Sequence, residues 1–196
     1  MSGGRGLGWV GVAGLALAAV FAGDRLAPAR SGELRLLGAP FAGLASRVQW
    51  VRVHGAMLAG REDLVLQRAE TAFALDPGAT EGWLFLARHQ FFDRASQALE
   101  PDPRRRAAWM RSALAVAERG ERRAREPGQL ALWLGLARER IARDEDLPWP
   151  ESRAELLRRA AADFERAAAD GVADAEELAG LARRLAEARE RADGGG

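Results

Sequence analysis

Trp83-Leu84-Phe85-Leu86-Ala87-Arg88, Trp133-Leu134-Gly135-Leu136-Ala137-Arg138 and Leu178-Ala179-Gly180-Leu181-Ala182-Arg183 are three versions of one hexad. A motif that recurs after tens of residues marks a chain built from one packed unit copied in line. The first two copies also share their approach. Asp76-Pro77-Gly78 precedes Trp83 and Glu126-Pro127-Gly128 precedes Trp133, with six positions from Pro to Trp in both.

Around these hexads every long segment carries helical periodicity, and no stretch alternates apolar and polar residues over the length of a strand. The expected body is all-α, with seven helices near residues 40–58, 64–75, 80–92, 104–125, 130–143, 151–169 and 173–192. Pro40 suits a first helical turn, where its missing N–H leaves nothing unsatisfied. In the first helix Phe41, Leu44, Val48, Val51 and Leu58 form an apolar stripe with Trp50, Val53 and Met57 beside it, which predicts a helix buried on two sides. Gly60 suits a C-terminal cap, and Glu62 and Asp63 suit the positive end of the next helix. Asp76-Pro77, Glu126-Pro127-Gly128 and Ala169-Asp170-Gly171 punctuate the remainder.

Charge and composition narrow the function classes. The formal net charge is +1, and every basic side chain other than the two His is Arg. Lys, Asn, Tyr and Cys are absent and Ile141 is the single isoleucine. Lys, Asn, Tyr and Ile have AT-rich codons, so this usage points to a GC-rich, bacterial genome, and the arginines carry little argument for nucleic acid as a partner. Without Cys there is no disulfide, thiol catalysis, thiolate metal site or lipid-modified N-terminal Cys.

Residues 1–6 form a short N-terminal tail. From Leu7 to Gly23 run seventeen uncharged, mostly apolar residues. At about 1.5 Å per residue this segment spans roughly 25 Å, enough for a short membrane helix. A secretory signal has the same outline, and Val20-Phe21-Ala22 and Ala27-Pro28-Ala29 both offer small-residue cleavage contexts. Arg25, Arg30 and Arg35 after the segment favour a cytoplasmic body, whereas the signal-like layout favours the opposite. The expectation is a single-pass N-terminal anchor with the body outside the cytoplasm, on the periplasmic side. Residues 24–39 are then a tether, 40–192 the helical domain and 193–196 a disordered tail.

Ala160, Phe164 and Ala167 stand in an Ala-x3-Phe-x2-Ala pattern, and Trp83, Leu86 and Ala87 are matched by Trp133, Leu136 and Ala137, with Pro77 and Pro127 at the unit ends. In these features residues 46–192 resemble the tetratricopeptide-repeat family. The resemblance implies about three antiparallel helical-hairpin repeats in a TPR-like solenoid, closed by a C-terminal capping helix. The Trp83 to Trp133 and Trp133 to Leu178 intervals of fifty and forty-five residues exceed the family's period near thirty-four. The excess is placed in enlarged loops at 95–103 and 143–150. Val172 stands where a closing Pro is expected.

On the first helix of each pair, Leu84, Arg88 and Phe91 lie at i, i+4 and i+7 on one face. Their counterparts are Leu134, Arg138 and Ile141, then Arg183. The resemblance implies that this face lines a concave, peptide-binding groove, here with one Arg per unit. Because a guanidinium fork grips a carboxylate at two points, an acidic or C-terminal peptide is the ligand such a ladder favours. An Arg inherited from an ancestral repeat without a use is the alternative.

Other features are structural in this reading. Arg104-Arg105-Arg106 sets three cations at a helix start, against the macrodipole, and calls for a compensating acid such as Asp102. Trp149 in Leu147-Pro148-Trp149-Pro150 plugs the underlying helix pair. His54 and His89 are core or surface histidines that make no metal site. No phosphate loop, serine elbow or zinc motif is present, so no enzyme, cofactor or metal is expected. The expected function is a membrane-tethered, non-catalytic protein-protein interaction adaptor. The alternatives are a structural subunit of a cell-envelope assembly of secretion or pilus type, and an enzyme with an unpatterned site.

Overall fold

The computed structural model describes residues 42–193, and helix ends fall where local chemistry puts them. Seven α-helices occur among the described residues, with no strand: α1 (Ala42–Leu58), α2 (Glu62–Leu75), α3 (Thr80–Arg88), α4 (Pro103–Glu121), α5 (Pro127–Arg143), α6 (Arg153–Ala169) and α7 (Ala175–Asp193). A π-helical turn, His89–Arg94, continues α3. The anchor expected at residues 7–23, the tether at 24–39 and the tail's last residues, 194–196, lie outside the described residues. No described helix is long and apolar enough to cross a membrane.

Helices α4 and α5 each begin on a Pro. Ser152 is the N-cap of α6: its Oγ accepts the Glu155 N–H at 3.1 Å. The α6 end explains how the chain turns without the Pro expected at 172. Gly171 takes φ +80°, the Val172 N–H reaches the Ala167 carbonyl at 3.0 Å and the Gly171 N–H reaches Ala168 at 2.9 Å. These are the two bonds of a Schellman cap, which satisfies orphan carbonyls through a left-handed glycine instead of a proline.

The chain divides after Pro77 into two compact units. In the first, α1 and α2 run antiparallel, since Ser46 Oγ donates to the Ala72 carbonyl (3.2 Å) while Arg68 Nη1 donates to the Arg52 carbonyl (3.0 Å). Trp50 meets Phe73 edge to face at 5.4 Å. The stripe expected to be buried is turned outward. Ser46, Gln49, Val53 and Ala56 are the buried residues of α1, whereas Leu44, Val48, Val51 and Leu58 are exposed. Small and hydrogen-bonding residues let the two helices approach closely, and that preference outweighs hydrophobicity here.

In the second unit consecutive helices pack antiparallel. Gly78 and Arg125 meet at one end of α3 and α4, while Arg94 lies over Trp109 at the other. On α5 and α6, Gly128 meets Asp170 and Gly135 meets Phe164. On α6 and α7, Arg183 bonds Glu165 and Arg158 approaches Glu190. The large and small partners exchange helices between pairs. Trp83 of α3 covers Gly120 of α4, whereas Phe164 of α6 covers Gly135 of α5. Ala160, Ala161, Phe164, Ala179 and Ala182 form one shared core of α6 and α7.

An added Cβ at position 135 lies 2.5 Å from Phe164 Cε1, and one at position 120 lies 2.6 Å from Trp83 Cγ. Both rings are buried and neither has room to retreat. Gly135→Ala and Gly120→Ala are each expected to cost about 1–3 kcal/mol through overpacking, although Ala is the better helix former. Urea denaturation followed by helical circular dichroism checks this, and an unchanged or raised midpoint contradicts it.

Candidate functional site

The hexads place their seven candidate residues in unlike surroundings. Arg88 is exposed and makes no ion pair among the described residues, with Leu84 half-buried beside it. Phe91 is buried and meets Trp133 edge to face at 5.6 Å. Leu134, Arg138 and Ile141 are all interior. Arg183 is exposed and donates to Glu165 at 2.7 Å. Phe91, Leu134, Arg138 and Ile141 therefore do not line an open groove with Arg88.

Two physical causes account for the difference. The Ala95 N–H bonds the Gln90 carbonyl, five residues back, so the π turn inserts an extra residue and rotates the following side chains. Phe91 turns inward and Phe92 outward. Helix α5 packs against α3, α4 and α6, and eleven of its seventeen residues are buried. A helix covered from three directions has no free stripe at Leu134, Arg138 and Ile141. Its exposed side instead carries Leu136, the counterpart of the buried Leu86.

Arg138 is the centre of a partly buried electrostatic network. It donates through Nη1 to Asp163 Oδ2 on α6 and through Nη2 to Glu118 Oε1 on α4, the latter at 2.5 Å. Asp163, only 2 % exposed, also accepts from Arg166 Nη2 at 2.6 Å. Arg166 grips Glu121 on α4 with Nε at 2.7 Å and Nη2 at 3.3 Å. Three carboxylates thus face two guanidinium groups across α4, α5 and α6, for a net charge of −1. The carboxylates that the ladder was expected to find in a ligand come, at this position, from the protein itself.

Burial pushes the Asp163 carboxyl above its ordinary range, against the opposing pull of Arg138 and then Arg166. Hydrogen bonding to Glu121 is the main cause holding the Arg166 guanidinium more firmly protonated than usual.

The other singled-out residues serve structure. Asp102 Oδ1 accepts the Arg104 N–H at 2.9 Å and Oδ2 lies 3.7 Å from Arg105 Nε, which supplies the acid that the three cations require. In the 144–152 connection Leu147 is the buried plug, and Trp149 stays half-exposed with Arg111 5.6 Å from its ring centre. Arg153, which no motif signals, ties this loop down. It donates to the carbonyls of Ile141 (3.2 Å), Asp144 (2.6 Å) and Leu147 (2.8 Å). His54 is exposed, and His89 is buried with Nδ1 2.9 Å from Asp93.

A shallow open cleft of about 300 Å³ separates α6 and α7, floored by Ala161 and Ala186 and rimmed by Arg183 with Glu165 and Arg158 with Glu190. The rim charges are mutually paired. Among the described residues no group of three or more His, Asp or Glu side chains is placed to hold a metal. No protein-family model, curated protein or solved structure matches the chain.

Asp163→Ala leaves Arg138 buried against Glu118 alone and is expected to cost about 3–5 kcal/mol. Asp163→Asn isolates the titration. Because the folded Asp163 pKa lies above the unfolded value, the native chain binds more protons between the two. Its stabilising contribution is fully present below the unfolded pKa and is lost as pH rises through the folded one. The stability of the wild type relative to Asp163→Asn should therefore fall as pH rises through that window. Denaturant titrations from pH 4 to 7 test this, and a flat difference contradicts it.

Proposed function

We propose that this chain is a membrane-tethered, non-catalytic adaptor, in which TPR-like helix pairs hold a protein or peptide partner beside a bilayer. The observation that carries the repeat reading is a register. Glu121 of α4 and Arg166 of α6 are bonded across 45 positions, and Glu118 and Asp163, joined through Arg138, lie the same interval apart. Trp133 and Leu178 of the second and third hexads are also 45 residues apart. Alternate helices lying side by side at one repeat length are what a solenoid of stacked pairs requires.

The membrane component rests on the apolar run from Leu7 to Gly23, with the body on the periplasmic side. The partner-binding component rests on Leu84 and Arg88 of α3, together with Arg183 of α7, the candidates that remain accessible. A partner carboxylate meets at Arg88 a guanidinium with no ion pair among the described residues, whereas at Arg138 it would have to displace buried Asp163 and half-exposed Glu118.

The engagement of Arg138 also favours a second reading, a structural subunit of a cell-envelope assembly that contacts its neighbours through its outer surface. Phe92, Leu99 and Leu136 are large apolar side chains available for that role.

Affinity capture of the full-length protein from its own membranes, with mass spectrometric identification, separates the two. In the adaptor reading Arg88→Gln lowers partner recovery severalfold while changing stability by less than about 0.5 kcal/mol, as expected of an exposed side chain. Arg138→Gln instead costs about 3–5 kcal/mol, because it removes the guanidinium that buried Asp163 shares with Glu118 and leaves Asp163 to Arg166 alone. Undiminished recovery with Arg88→Gln, together with loss on Phe92→Ser or Leu99→Ser, supports the structural subunit. Full-length protein should stay with the membrane pellet through a carbonate wash, and release of the intact chain removes the tether from both readings.

A further inference from the structure

We propose that the outer face of α1 is a lipid-docking surface, lying along the headgroup region of an anionic bilayer. The inference rests on the tether reading, because the bilayer concerned is the one that residues 7–23 are proposed to enter.

Helix α1 is polar inward and apolar outward. Ser46 and Gln49 are among the four residues it buries, while Leu44, Val51 and Leu58 are 62 %, 74 % and 79 % exposed. With Val48 they recur at four, three and seven positions, and Gly55 fills the remaining place in the row. The row is about 21 Å long at 1.5 Å per residue. Scattered exposed aliphatic residues are ordinary, but a continuous row on a helix whose buried side includes Ser and Gln needs a cover.

The charges select the occupant. Arg47 is exposed within this face, and the helix has no acidic residue. An apolar strip with an exposed cation in it is chemistry that suits the plane of a membrane interface, where acyl chains take the strip and an anionic headgroup the guanidinium. A second copy of α1 fits less well. It would set Arg47 against its own counterpart with no acid on either helix. Four aliphatic side chains also supply far less than the roughly 800 Å² per partner of a stable interface. Eighteen residues separate Gly23 from Ala42. At no more than about 3.6 Å each, this length leaves α1 free to lie on the surface that the anchor enters.

The chain contains no Cys, so one introduced thiol carries one label. Full-length Val51→Cys, Leu58→Cys and, on the exposed side of α7, Arg184→Cys are labelled with an environment-sensitive fluorophore. Each is reconstituted into phosphatidylcholine vesicles with and without phosphatidylglycerol, carrying nitroxide-labelled acyl chains as quenchers. The expected result is severalfold stronger quenching at positions 51 and 58 than at 184. The difference should shrink severalfold without phosphatidylglycerol or when Arg47→Glu is added, at unchanged circular dichroism. Protein that floats with the vesicles while positions 51 and 58 quench no more than 184 overturns the docking face and leaves the tether standing. Protein that fails to float overturns both. Quenching indifferent to both phosphatidylglycerol and Arg47→Glu overturns the anionic-lipid assignment. Label self-quenching that rises with protein density identifies a second copy as the cover. Shielding from an aqueous quencher without lipid quenching assigns the cover to residues 7–23.

Discussion

Arg138 lies between two acids from two other helices, and the second unit is organised around that contact. Its guanidinium joins α5 to Asp163 of α6 and Glu118 of α4, and Arg166 closes the circuit through Glu121. A buried ion pair is weak evidence for extra stability, since desolvation offsets much of the attraction. Its geometric demand is stricter. A slip of one residue along α6 carries Asp163 about 100° round the helix and leaves a charge without a partner. Around it the helices are lined with Ala and Gly, whose small side chains allow many sliding registers, so the charges select one.

Helix number and some helix ends were legible in the sequence because Pro and Gly act locally, although the expected helix at 104–125 ends at Glu121 and the one expected from 130 begins at Pro127. Gly60 and Gly171 take the left-handed conformation at the helix ends expected of them, whereas Pro103 and Pro127, read as a loop end and a stop, are the first residues of α4 and α5, and Ser152 caps α6 without having been singled out. Trp83, Trp133 and Phe164 were legible as core because a large ring beside small residues has few other uses. The Val172 position departs from the repeat pattern only in its means, a glycine cap replacing a proline stop.

Side-chain facing was less legible, and α1, the π turn and α5 show why. In α1 hydrophobicity pointed to Leu44, Val51 and Leu58 as interior, but closeness of approach decides that interface, and Ser46, Gln49 and Ala56 meet it better. At His89–Arg94 a periodicity of 3.6 ceases to hold, so Phe91 could not be faced by counting from Leu84. In α5 the count was sound, but the number of neighbours is a property of the whole fold, and a centrally placed helix buries the stripe that α3 leaves partly open. Arg138 could not be told from Arg88 by its hexad, because their fates are set by Glu118 and Asp163, twenty and twenty-five residues away. Arg153 gave no signal at all, since its partners are backbone carbonyls and carry no residue identity.

The link between α4 and α6 has a direction. Helix α4 contributes only carboxylates, Glu118 and Glu121, while α6 answers Glu121 with Arg166 directly and meets Glu118 through Arg138. The two surfaces in contact are therefore different, as in a head-to-tail joint and unlike the like-to-like contact of a symmetric pair. A joint of that kind closes into a ring or continues in line according to the rotation it imposes. Forty-five positions on from Glu121 stands Arg166, so a copied α5–α6 pair would meet an arginine where α4 offers an acid, and lengthening the chain in this way would require that charge to change as well.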